Sequence, residues 1–88
     1  MRVFNMLVAA TAKTFATGCN TDYSHTKIHC LVAPAANSGA VYIGDSADQS
    51  IELSASGEKM HFPGGLPINF ADLSYKGTAD DRLIIICE

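Results

Sequence analysis

Short apolar runs, each broken within a few residues by Gly, Pro, Asn, Asp or Ser, leave this chain little but β-structure to fold into. No window repeats apolar residues at i, i+3, i+4 and i+7 with caps at both ends, so no helix of useful length is expected. Arg2–Ala10 is the first run. Val3, Leu7 and Ala9 alternate there with Phe4, Met6 and Val8, so both faces are apolar. Such a strand belongs between two layers or against a neighbouring chain.

Residues 11–24 are polar and turn-rich, a loop with room for a short strand around Lys13–Ala16. Thr26–Val32 alternates, with Ile28, Cys30 and Val32 on one face and Lys27, His29 and Leu31 on the other. Pro34 and Asn37–Gly39 make a turn, with Gly39 available for positive φ. Ala40–Gly44 is a short strand with Val41 and Ile43 inward, followed by the turn cluster Asp45–Ser50. Ile51–Leu53 and Glu58–Phe62 read as a hairpin with Ser56-Gly57 at its tip. Pro63-Gly64-Gly65-Leu66-Pro67 is a rigid crossing that blocks pairing. Ile68–Lys76 is a further strand region, Thr78–Asp81 a turn, and Arg82–Cys87 a dense, central closing strand.

These runs make about seven to eight short strands, which predicts an all-β fold: a compact β-sandwich or small barrel, jelly-roll-like. Greek-key and meander orders share these local signals, so strand order stays open. The 88 residues fit one β-domain. Residues 1–24 are its partner-contacting N-terminal strand and loop, and 25–88 its sandwich core.

The apolar fraction of 48% is enough to offset chain entropy and argues against disorder. Only 17% of residues are charged, against ~25% for typical soluble domains. A surface so poor in charge is expected to face another protein in part. The six Lys and Arg are spread singly at Arg2, Lys13, Lys27, Lys59, Lys76 and Arg82, and net charge is −3. A nucleic-acid groove needs clustered cations, so no nucleic-acid partner is expected. The longest apolar run, Leu83–Cys87, is too short to span a bilayer, so no membrane partner is expected.

Three cysteines, Cys19, Cys30 and Cys87, are too few and too widely spaced for a disulfide framework. Synthesis in a reducing, intracellular compartment follows as the expectation. Cys19, His25, His29 and Cys30 are all zinc-ligand types. His29 and Cys30 are adjacent, however, and on a strand would point to opposite faces. No metal and no cofactor are expected. Catalysis by Cys19 with His25 or His61 would need a field favouring the thiolate, and Cys87 lies beside acidic Glu88. No nucleophile elbow or phosphate loop is present, so a non-enzymatic role is expected. Asp45, Asp48, Asp72, Asp80 and Asp81 fall in or near turns, where carboxylates bond backbone N–H groups.

From Ile28 onward a longer pattern stands out. A strand leads into an Asn-x-Gly turn at Asn37–Gly39, then Val-Tyr-Ile-Gly-Asp-Ser at 41–46. A Leu-x-x-x-Gly-Glu segment follows at Leu53–Glu58, then Asn69, Asp72, Leu73 and Gly77–Ala79. This resembles a group of small structural proteins of tailed bacteriophages, over roughly the C-terminal two-thirds of the chain. The resemblance implies an all-β virion component present in many copies. The resemblance does not place it on head, vertex or tail; the leading expectation is a capsid decoration or cementing protein on the capsid surface, made in the host cytoplasm. Its partners would be the major capsid protein and copies of itself, a trimer among the closed symmetries that hide apolar faces. The contact element would be the two-sided first strand, with Phe4, Met6 and Val8, joined by Leu31, as interface residues. The alternative is a head-fibre, tail or receptor-binding β-module using the loops Cys19–His25 and Pro63–Pro67. A third class, a small enzyme or metal-binding domain, would centre on Cys19 and His25.

Overall fold

The computed structural model describes residues 1–20 and 26–88. Eight strands run in chain order: β1 Arg2–Leu7, β2 Lys13–Thr14, β3 Thr26–Val32, β4 Val41–Gly44, β5 Ile51–Leu53, β6 Lys59–Ile68, β7 Ser74–Lys76 and β8 Arg82–Cys87. They form two antiparallel four-stranded sheets, ordered β1-β8-β3-β6 and β2-β7-β4-β5. The order follows from nested pairing. The first strand pairs with the eighth, the second with the seventh, the third with the sixth and the fourth with the fifth. Cross-pairing of β3 with β8 and of β4 with β7 then rolls the four pairs into two layers. This is the double-sheet jelly-roll arrangement rather than a meander or a closed barrel.

β3, β5 and β8 have the bounds read from the sequence and β4 starts one residue later, and β8 is central as its β-branched run suggests. Five local readings need correction. Ile51–Leu53 and Glu58–Phe62 do not form a hairpin, because β5 lies in the second sheet and β6 in the first. The Ser54–Glu58 turn, with Gly57 at φ 79°, instead carries the chain from one layer to the other. Pro63–Pro67 interrupts pairing without ending the strand. Register runs Cys30↔His61, skips, and resumes at Ile28↔Leu66. Edge strand β6 tolerates its prolines because one flank has no sheet partner. Gly39 keeps negative φ, and its N–H goes to Asp81 instead.

A five-residue helix, α1 (Phe15–Cys19), follows β2 where a loop is expected. Thr14 caps it, its Oγ1 accepting from the Thr17 N–H at 3.1 Å, and Asn20 ends it in the left-handed region. A single turn of 3-10 helix at Phe70–Asp72 interrupts the predicted Ile68–Lys76 strand.

The core lies between the sheets. Phe15, Phe70 and Tyr75 are fully buried and meet edge to face, with centroids 6.0 Å apart for Phe15–Phe70 and 5.5 Å for Phe15–Tyr75. Each such pair adds ~0.5–1.5 kcal/mol beyond burial. Met6, Ile28, Leu31, Val41, Leu53, Leu83 and Ile85 complete the layer. Full burial of each side chain of this size is worth ~1.5–3 kcal/mol.

Candidate functional site

With one face of each sheet consumed by the core, function rests on what the outer faces present. In β8 the pattern is strict. Leu83, Ile85 and Cys87 are buried, while Arg82, Ile84 and Ile86 face out. Register carries that parity sideways. Val3 pairs with Ile86, Asn5 with Ile84 and Leu7 with Arg82, so these β1 residues also face out. On the other flank Cys30 pairs with Ile86 and Val32 with Ile84. Beyond them His61 lies opposite Cys30 and Lys59 opposite Val32. The outer face of the first sheet therefore has an apolar centre of Val3, Ile84, Ile86 and Val32. Val3 is 62% exposed and Leu7 42%, two of the most exposed large apolar side chains in the molecule.

This corrects the expected interface set. Met6, Val8 and Leu31 are each 1% exposed and belong to the chain's own core, and Phe4 packs against it. The burial of Met6, Val8 and Leu31 leaves those three no surface for a partner, whereas Phe4 is half-buried. The two-sided apolar reading of β1 stands, but the outward set is Val3 and Leu7. Leu31 turns inward because a bulge between Ile28 and Cys30 reverses parity within β3. Cys30 and Val32, expected on the Ile28 face, turn outward for the same reason. Cys30 is nonetheless buried, covered within that face.

The zinc-type residues separate. Cys30 lies on the outer side of the first sheet, whereas Cys19 packs against the core on the inner side, near Cys87. His29 Nε2 lies 3.4 Å from the Glu88 carboxylate. His25 falls outside the described residues, as does Tyr23. Among the described residues no group of three or more His, Cys, Asp or Glu converges as a metal site would require. Burial, reinforced by Cys87, pushes the Cys19 thiol up to about 12. Burial also raises the Cys87 thiol, against the pull of Arg2 and the N-terminal amine. Both environments oppose the thiolate that nucleophilic or metal-binding chemistry needs.

Turn chemistry accounts for two of the turn carboxylates. Asp45 Oδ1 accepts from the Ala47 and Asp48 N–H groups, both at 2.8 Å. Asp81, buried, accepts from Ser38 N–H at 2.8 Å and Gly39 N–H at 3.0 Å. These bonds, Ser38's foremost, hold the Asp81 carboxyl below its ordinary range. Beside it the Asn37 side chain brackets Arg82, donating to its carbonyl and accepting from its N–H, each at 2.8 Å. The two clamps fix the 37–39 turn to the start of β8.

The second sheet carries an open cleft of about 400 Å³, lined by Ala10, Gly39, Ala40, Tyr42, Lys76, Gly77 and Thr78. Tyr42, Lys76 and Thr78 supply its polar side-chain groups. Among the described residues no helix is long and apolar enough to cross a membrane. No family model, no curated protein and no solved structure matches this chain.

Proposed function

We propose that this chain is a non-enzymatic virion structural protein of a tailed bacteriophage. In this reading it is a capsid decoration or cementing protein that binds the major capsid protein and stabilises the shell. The observation that carries the reading is the solvent-facing apolar centre of the first sheet, Val3, Ile84, Ile86 and Val32. A small domain that leaves such a face uncovered is built for contact with another protein. The turn pattern of residues 28–79 supports a phage particle as the setting. The jelly-roll arrangement agrees with it at the level of analogy, since viral capsid domains, lectins and cupins also use that architecture. Each copy would contribute a modest contact, and occupancy of many equivalent shell sites would multiply it.

A head-fibre, tail or receptor-binding role is the second reading. The Tyr42–Lys76–Thr78 cleft favours it, because an aromatic wall with nearby donors suits a polar ligand.

Quantitative protein staining of purified particles, against the major shell protein, separates the readings. Shell decoration requires copies on the order of hundreds, as icosahedral repetition dictates. About a dozen copies, or a small multiple of three, would move the chain to a vertex fibre or the tail. No copies at all would overturn the virion reading.

A further inference from the structure

The four strands of the first sheet contain Arg2, Lys27, Lys59, Arg82, His29 and His61, and not one Asp or Glu. The chain as a whole is acidic, at net charge −3. Four of its six Lys and Arg thus sit on the strands of this sheet, and the acids among the described residues lie outside those strands. Two of the acids next to this sheet in sequence, Asp81 and Glu58, accept backbone hydrogen bonds. The Asp81 carboxylate is held by Ser38 and Gly39, Glu58 Oε1 accepts from Ser54 N–H at 2.6 Å, and Glu88 faces His29. Asp45, Asp48, Glu52 and Asp72 belong to the second sheet, its turns or the 3-10 segment, and Asp80 lies in the turn that leads into β8, its N–H bonded to the Val8 carbonyl.

We infer that the outer face of the first sheet docks on an acidic protein surface, an apolar patch rimmed by Asp and Glu. Register places Arg82 beside Leu7 and Lys59 beside Val32, at the margins of the apolar centre. That is the arrangement of an interface with an apolar core and a charged rim. Charge complementarity names the occupant. A second copy applying the same face would set Arg82 and Lys59 against their own kind, and like charges meeting across a contact cost several kcal/mol. An acidic rim instead draws this face in against the repulsion that the chain's net charge creates elsewhere.

This inference rests on the decoration reading and specifies the chemistry of the shell site. Its test uses purified particles lacking the chain, to which the full-length protein is added back. Wild type is compared with Lys59→Glu, Arg82→Glu and, on the other sheet, Lys76→Glu. Lys59 and Arg82 side chains are exposed, and Arg82 is held through its backbone, so these variants keep the fold. Bound copies should fall about tenfold for each first-sheet reversal and stay unchanged for Lys76→Glu. Val3→Ser, which adds no charge, should also lower occupancy, and wild type should be released as salt is raised toward ~1 M.

Equal binding by all four charge forms would overturn the acidic-surface inference while leaving decoration intact. Wild type that fails to bind particles at all would overturn both. Sedimentation of the free protein supplies the remaining arm. An oligomer dissolved by Lys59→Glu and Arg82→Glu would mean that a second copy covers the face, and would overturn the inference.

Discussion

Tyr75 ties three parts of the molecule together. Its ring packs edge-on against Phe15, the Lys13 ammonium lies 5.7 Å from the ring centroid, and its hydroxyl donates to the Leu7 carbonyl at 3.0 Å. Burial, with Cys19 nearby, pushes its phenol up to about 12, so it remains a donor throughout the neutral range. Tyr75→Phe would leave the Leu7 carbonyl without that partner, and a loss of ~1–3 kcal/mol is expected in denaturant unfolding. Gly18 is small for the same reason, since a Cβ there would overlap the Tyr75 hydroxyl. Asp81 carries the pH dependence. Its folded value lies below the ordinary 3.8, so its contribution is present in full above that value and is lost as pH falls through the folded one. Thermal melts of wild type should drop at acid pH more steeply than those of Asp81→Asn, whose melting temperature should be lower at neutral pH. Parallel curves for the two proteins would contradict this account.

At the scale of elements, β8 offers the clearest division of labour. Ile85 faces the core and Ile84 faces out, one residue apart. Ile85→Ala should cost ~2–5 kcal/mol, and Ile84→Ala far less, because no enclosed cavity forms on the outer side. Equal losses would mean that the sheet's outer face is as tightly packed as its inner one. The strands themselves were legible in the sequence, since period-two alternation and turn residues are local signals. Parity was not always legible. In β1 both alternating sets are apolar, so the chain itself does not say whether Met6 or Leu7 goes inside. In β3 the bulge that turns Leu31 inward arises opposite the Pro63–Gly65 stretch of β6, more than thirty residues away in the chain. The turn at Ser54–Glu58 has the same chemistry whether its strands pair or part between layers. Helix α1 is too short for its period to show. The basic rim has the same origin. Its cations are scattered singly along the chain, and only strand order collects them on one sheet.

For the whole molecule, nested pairing sets one end of the chain against the other. Arg2 lies opposite Cys87, and the Arg2 guanidinium reaches the Glu88 carbonyl at 3.4 Å. A circular permutant joined from Glu88 to Met1 by a short linker, and opened at the exposed Ser46-Ala47 bond, should keep the wild-type near-ultraviolet spectrum. Loss of that spectrum would show that the β4–β5 turn is indispensable rather than a permissive site. The same nesting governs how the protein can be made. β8 follows β1 and β3 in the chain and is the strand that both pair with. Until it emerges, the first sheet has no centre, and its outermost strand waits unpaired with an apolar residue on either side. Completion of the first sheet is thus deferred until β8 has been made, and the nascent chain carries β1 unpaired through the synthesis of the strands between.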